Sequence, residues 1–211
     1  MAERIRVGVL ISGRGSNMLA LAEHRRRDPE RPYEIVLVAS NVPEARGLVL
    51  ARRLGIPVWA QSHQGIPREE FDRLLDAELR ARDVEIVALA GYMRLLSDPF
   101  VAAWEGRILN IHPSLLPAHK GLDTHRRAIA AGDTFAGCTV HVVTPTLDDG
   151  PVLARAQLRI RPRETPEGLA QRVLAEEHRL YPQALDDYCR AIIDSRVGAE
   201  TAIEALEDPK A

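Results

Sequence analysis

Residues 107–117 read Arg-Ile-Leu-Asn-Ile-His-Pro-Ser-Leu-Leu-Pro, and Leu147-Asp148-Asp149-Gly150-Pro151 follows after a gap. The two stretches collect an amide, an imidazole and a carboxylate, groups able to hold an oxyanion and move a proton. Residues 107–111 have the composition of a short strand, whose period of two puts Asn110 and His112 on one face and Ile111 on the other. Pro113 cannot donate to a sheet ladder and biases His112 toward extended backbone, so the strand is expected to end there. Its last polar side chains then stand at the sheet rim, where open α/β sheets bind ligands. Asn and His at a strand end also serve simply to satisfy neighbouring backbone groups. Set against that, a neutral amide beside an imidazole of ordinary pKa, about 6.5, suits the oxyanion formed when a nucleophile adds to a carbonyl carbon. Asp148 and Asp149 lie in turn-forming sequence, which reads either as a solvated loop or as a placed general base.

The elements that must position these groups alternate along the chain. A buried-strand pattern over 5–12 leads through Gly13-Arg14-Gly15-Ser16-Asn17 into a helical stretch over 18–26. Strands are expected over 33–41, 57–61 and 84–90, with helices over 44–54 and 67–82, the latter with Pro67 in its first turn. After the Asn-Ile-His strand, 124–131 reads as helix, and β-rich runs over 135–144 and 152–160 flank the Asp-Asp-Gly-Pro loop and pair antiparallel. A long helix over 166–193 follows, with a new turn or kink at Pro182. The expected fold is a single α/β domain, a mostly parallel twisted sheet flanked by helices with antiparallel strands after the catalytic strand. Residues 1–195 are assigned to that domain and 196–211 to a C-terminal tail, weakly helical or disordered.

With 211 residues, 45% of them hydrophobic, the chain has material for one substantial core. Its 28 basic and 30 acidic residues nearly cancel, which gives no general drive toward nucleic acid or an anionic membrane. The run His24-Arg25-Arg26-Arg27 reads as the solvated end of a helix. Cys138 and Cys189 are too few for a disulfide framework and lack metal-ligand spacing. No signal-peptide pattern and no membrane-length apolar run is seen, so the cytoplasm is the expected compartment.

Gly13 and Gly15 remove side chains where the backbone turns from strand to helix, and Ser16 and Asn17 are of the types that cap a helix. Free N–H groups and the positive helix end make this turn a candidate phosphate cradle. A dinucleotide fingerprint fails, because Met18 stands where the third glycine would be and the second strand ends in Ser40-Asn41 rather than an acid. NAD is therefore not expected, and no Walker Gly-Lys-Ser/Thr follows the turn.

Four motifs occur together: Ile-Ser-Gly-Arg-Gly-Ser-Asn at 11–17, Leu-Ala-Gly-Tyr-Met-Arg-Leu-Leu-Ser at 89–97, Asn-Ile-His-Pro-Ser-Leu-Leu-Pro at 110–117 and Leu-Asp-Asp-Gly-Pro at 147–151. In this combination the chain, from about residue 5 to 188, resembles the phosphoribosylglycinamide formyltransferase family, folate-dependent enzymes of purine synthesis. The resemblance implies transfer of a formyl group from 10-formyltetrahydrofolate to the amino group of glycinamide ribonucleotide, without metal or NAD. Asn110, His112 and Asp148 match the family's catalytic trio. The resemblance further implies phosphate binding at Gly15, Ser16 and Asn17, and a contact from Glu177 to the ribose or glycinamide portion, where a solvated helix carboxylate would otherwise be read. It places folate at Tyr92, Met93, Arg94, Leu95, Leu96 and Asn110, with Arg68 toward the folate glutamate carboxylates. His125, taken as a loop residue near the site, and His141 match supporting positions. Lys120 and Asp123 depart from the family's usual Pro and His, and Arg14 occupies a variable position. The implied partners are the two small-molecule substrates, with no nucleic acid and no membrane, in a monomer or homodimer. The competing readings are a formyltetrahydrofolate hydrolase, a transfer-RNA formyltransferase, which would need a further RNA-contacting domain, and a non-catalytic folate or nucleotide binding module.

Overall fold

The structure, a computed structural model, describes residues 4–207. In chain order the elements are β1 (Ile5–Ile11), α1 (Ser16–Arg27), β2 (Tyr33–Ser40), α2 (Arg46–Arg53), β3 (Val58–Ala60), α3 (Arg68–Arg80), β4 (Ile86–Leu89), α4 (Asp98–Ala103), β5 (Ile108–His112), α5 (Thr124–Ala130), β6 (Phe135–Val142), β7 (Val152–Arg159) and α6 (Pro166–Glu207). The strands form one sheet in the order β3-β2-β1-β4-β5-β6-β7. The first five strands in that order run parallel, and β6 and β7 are antiparallel additions. β1 and β4 are apolar and almost wholly buried, as central strands covered on both faces must be. β7 alternates exposed and half-buried positions, as befits an edge.

The chain passes from β1 to β2 on one side and returns to β4 on the other, so the strand order reverses between β1 and β4. The crevice beyond the C-terminal ends of those two strands is where such sheets take ligands. One face of the sheet packs on α1, α2 and α6 through Met18, Leu21, Leu48, Leu169, Tyr181 and Leu185. The other packs on α3 and α4, with Phe71, Leu75, Phe100 and Trp104 at its centre. Trp104 stacks on Phe100 at 6.1 Å and donates its indole N–H to Asp76 at 2.7 Å, so the ring is buried without orphaning its polar atom.

Leu109, Ile111, Val140 and Val142 point into the α6 side of the core. Alternation therefore turns Asn110, His112, Thr139 and His141 to the opposite face. There the segments 113–123 and 143–151, rather than a helix, lie over β5 and β6.

The segment between β4 and β5, left unassigned by the sequence reading, holds α4, with Asp98 and Pro99 in its first turn. α6 passes through Pro182 without a break in helix and continues to Glu207; residues 208–211 of the expected tail lie outside the described residues. The expected capping of α1 by Ser16 or Asn17 is not what forms. The N-cap is Gly15, in the left-handed region at φ 74°, and no side chain caps the helix. Gly15 is needed there, because a Cβ would lie 2.6 Å from the Cα of Gly47, so any side chain would push α1 away from α2. Among the described residues no helix is long and apolar enough to cross a membrane.

Candidate active site

Asn110 and His112 close β5, and the register pairs Asn110 directly with His141 of β6. Cross-strand partners share a face, so their side chains meet. Asn110 Nδ2 lies 3.1 Å from His141 Nε2. Asp148 reaches the same face from the β6–β7 connection, with its backbone in the left-handed region at φ 49°, a conformation Asp tolerates better than most residues. The connection turns back sharply at Gly150, where a Cβ would stand 1.8 Å from the carbonyl oxygen of Val142. That close approach delivers the Val142 N–H to the Pro151 carbonyl at 2.9 Å and seats Asp148 over the strand ends.

Of the two aspartates in the loop, only Asp148 is buried. Asp148 Oδ2 accepts the Gly121 N–H at 2.8 Å and stands 3.4 Å from His112 Nδ1, while Oδ1 is 3.6 Å from His141 Nε2. Burial pushes its carboxyl up, but the His141 contact, the Gly121 N–H and the charges of His112 and His141 together hold it below the usual carboxylate range. Asp149 is exposed and pairs with Lys120, which ties the 113–123 segment to the β6–β7 connection.

His112 is buried, and its Nε2 donates to the carbonyl of His119 at 3.1 Å. A neutral ring protonated at Nε2 leaves the Nδ1 lone pair facing the Asp148 carboxylate, whereas the imidazolium would use both nitrogens as donors. Burial lowers the His112 pKa, and the His119 carbonyl and the Asp148 charge oppose that shift. Burial thus biases the ring toward its neutral form, in a frame whose acceptors suit the cationic one. His125 belongs to the first turn of α5 rather than to a loop, and burial with the nearby charge of His112 lowers its pKa as well.

At the β1–α1 turn, the first helical hydrogen bond runs from the Leu19 N–H to the Gly15 carbonyl, so the N–H groups of Ser16, Asn17 and Met18 precede the ladder. Asn17 Nδ2 donates to Glu177 Oε2 of α6 at 2.7 Å. Glu177 is buried, not solvated as an ordinary helix carboxylate, and burial raises its pKa against the pull of Asn17. The other end of the same amide, Asn17 Oδ1, is buried with no hydrogen bond among the described residues.

The segment 91–97 borders this turn: Ser12 donates its backbone N–H to the Gly91 carbonyl at 3.0 Å, and Ser12 Oγ accepts the Met93 N–H at 2.8 Å. Met93 and Leu95 are 73% and 55% exposed, too open for core residues; Tyr92 and Leu96 are half-buried. Arg94 lies over the Phe71 ring at 5.1 Å and donates to the Ile66 carbonyl at 3.1 Å, which ties the segment to the approach to α3, whose exposed first residue is Arg68. Asp72, one turn into α3, anchors the end of the segment by accepting the Ser97 N–H at 2.6 Å.

Apart from His125 on α5, the sequence-selected residues fall in three groups: Asn110, His112, His141 and Asp148; Gly15, Ser16, Asn17 and Glu177; and Arg68 with residues 92–96. The sequence reading missed the His119 carbonyl and the Gly121 N–H, since backbone groups carry no sequence signal, and Asp72, whose spacing within an amphipathic helix looks ordinary.

Residues 5–185 match the sequence model of the formyl transferase family. A phosphoribosylglycinamide formyltransferase of Escherichia coli is 41% identical over 175 residues, 82% of each chain. The crystal structure of phosphoribosylglycinamide formyltransferase from Brucella melitensis superposes with a TM-score of 0.84 at 48% identity, covering 89% of this chain and 96% of that one. Glycinamide ribonucleotide transformylase 1 from Symbiobacterium toebii gives a TM-score of 0.86 at 42% identity, covering 90% of each. A trifunctional purine biosynthetic protein adenosine-3 from Drosophila pseudoobscura pseudoobscura is 46% identical over 184 residues, 86% of this chain, and the match spans 14% of that protein's length.

Proposed function

The chain belongs to the formyl transferase family, and from that premise we propose that it transfers a formyl group from 10-formyltetrahydrofolate to the amino group of glycinamide ribonucleotide, a step of purine biosynthesis. The observation that carries this reading is the gathering of Asn110, His112 and Asp148 on one sheet face, next to a helix N-terminus suited to phosphate. A hydrolase needs no phosphate site for its acceptor. A mere binding module needs no buried amide, imidazole and carboxylate in contact.

In this reading the ribonucleotide phosphate takes the N–H groups at the start of α1. Asn17 offers its backbone there, because its side-chain amide is turned to Glu177. Glu177 and the Asn17 Oδ1 both have acceptor capacity suited to hydroxyl or amino donors of the ribose or glycinamide portion. The pterin end of the folate lies along 92–96, whose exposed Met93 and Leu95 provide apolar cover, and Arg68 meets the glutamate carboxylates. The substrate amine attacks the formyl carbon and forms a C–N bond. The carbonyl oxygen becomes an oxyanion, which accepts from the Asn110 amide and from His112, where a substrate oxygen replaces the His119 carbonyl as acceptor. The amine proton leaves by way of the ionised Asp148, directly or through water, and passes to the Nδ1 lone pair of His112, where the neighbouring carboxylate stabilises the imidazolium that results. Collapse breaks the bond from the formyl carbon to N10, and the proton goes to that leaving nitrogen.

The test is formyl transfer by the purified protein from a 10-formylfolate donor, followed by absorbance, with and without glycinamide ribonucleotide. Donor consumption that requires the ribonucleotide and gives formylated product is the expected result. Consumption without acceptor would replace the reading by a hydrolase, and no consumption in either case would leave a binding module.

A further inference from the structure

His141 carries no role in the reaction just described, yet it is 2% exposed and lies between two of the groups that do. Its Nδ1 is 3.0 Å from the backbone carbonyl of Val142, which can only accept, so Nδ1 holds the ring proton. In the neutral ring Nε2 is then a bare acceptor. Asn110 Nδ2, 3.1 Å away, is the donor that fills it. Asp148 Oδ1, at 3.6 Å from the same nitrogen, lies beyond hydrogen-bond range and finds no proton there while the ring is neutral.

An Asn side chain has two nearly isosteric ends, and which one faces a neighbour is decided by hydrogen bonding alone. The backbone carbonyl of Val142 fixes the tautomer of His141, and that tautomer fixes which end of Asn110 turns to it. Were the carboxamide flipped, its oxygen would face a lone pair. With Nδ2 on His141, the second N–H of the same amide is held in the plane of the group and aimed away from β6, and the Asn110 oxygen is turned from the ring. The donor direction at the reacting oxygen is therefore written by a polarity relay that begins at a backbone carbonyl. Preorganised donors are the valuable ones, since they need no reorganisation as charge develops.

We propose that His141 is a positioning residue, an imidazole that holds its proton on Nδ1 and accepts from Asn110 at Nε2, thereby orienting the catalytic amide. The proposal rests on the formyl-transfer reading of Asn110. The groups facing the ring are Asn110, Asp148 and the Val142 carbonyl, with His112 acting on it through Asp148.

Two measurements on the full chain test it. In the wild-type protein with ¹⁵N-labelled histidine, the His141 ring is expected at neutral pH to show a protonated Nδ1 and an unprotonated Nε2. A proton on Nε2 would overturn the proposal whatever the activity. In kinetics, His141→Leu should lower kcat by at least about tenfold, bounded by the roughly 10³-fold cost of losing the oxyanion donor itself, with KM for both substrates within about twofold. His141→Gln, whose Oε1 replaces Nε2 as acceptor, should recover most of the loss. In an Asn110→Ala background His141→Leu should add almost nothing, because groups acting as one unit are not additive. Additive losses would overturn the proposal, as would a kcat for His141→Leu equal to wild type. A wild-type chain that transfers no formyl group would refute the functional reading and leave the tautomer result standing on its own.

Discussion

Replacing Asp148 by Asn keeps the size of the side chain and an acceptor for the Gly121 N–H, and removes only the charge. The carboxylate stands 3.4 Å from His112 Nδ1, and both side chains are 7% exposed. At that distance and an effective dielectric of about 20, opposite unit charges attract by about 5 kcal/mol. With about 1.4 kcal/mol per tenfold in rate, the full attraction corresponds to roughly 3.5 decades. That figure is an upper bound, because the His119 carbonyl also favours the imidazolium and because Asn can still accept a hydrogen bond. The expected loss in kcat is about 10³-fold, with ribonucleotide affinity by calorimetry changed less than about threefold, since binding precedes the charge. The sign for His112 follows from the same geometry. Its pKa is already lowered by burial, and Asp148 is one of the groups opposing that shift, so the variant should titrate lower still by NMR. A kcat loss below tenfold, or a His112 pKa that rises, would refute the argument that Asp148 compensates charge on His112.

Asn110→Ala should cost about 10²–10³-fold in kcat, the scale of one oxyanion donor, measured by the same absorbance assay. Arg68→Ala should raise KM for polyglutamylated folate and leave the ribonucleotide KM nearly unchanged; equal losses would make the arginine structural. Glu177→Gln keeps an acceptor for Asn17 while removing a buried charge. Because burial raises the Glu177 pKa, its ionised form costs stability that is absent below the unfolded carboxyl pKa and grows as pH rises through the folded value. The variant should therefore melt higher at neutral pH by calorimetry, at about 2–4 °C per kcal/mol relieved, but bind ribonucleotide more weakly, and the two melting temperatures should converge in acid. Gly15→Ala should destabilise by about 1–3 kcal/mol in denaturant titration, since its Cβ meets Gly47 at 2.6 Å and its φ is 74°, and phosphate affinity should fall with it.

Much of this architecture is legible because it rests on local rules. The apolar runs of β1 and β4, the glycine turn before α1 and the proline after His112 each have a direct physical consequence, and the alternation in β5 placed Asn110 and His112 on a common face. α4 escaped because its six residues are too short to show a helical period. Its identity comes from tertiary burial of Phe100 and Val101. The resemblance named Glu177, but its burial was not legible in the residues for a related reason. On a helix in isolation a carboxylate belongs in water, and only the approach of α1, which brings Asn17 to 2.7 Å, makes its burial tolerable.

Asp148 and His141 mark the boundary between the two kinds of information most clearly. Asp148 stands among Asp-Asp-Gly-Pro, a composition that is ordinary for a surface turn, and nothing local separates it from Asp149. The separation is made by Gly150. Only a residue without a Cβ lets the chain pass within touching distance of the Val142 carbonyl, and that passage fixes which aspartate faces inward. The Val142 residue that receives the turn through its backbone N–H also orients the His141 ring through its carbonyl. One backbone position thus sets both the place of the carboxylate and the polarity of the imidazole beside Asn110. Side-chain chemistry in this site is selected by sequence, but its direction is set by main-chain groups that every residue type carries, which is why the residues could be named from the chain and their orientation could not.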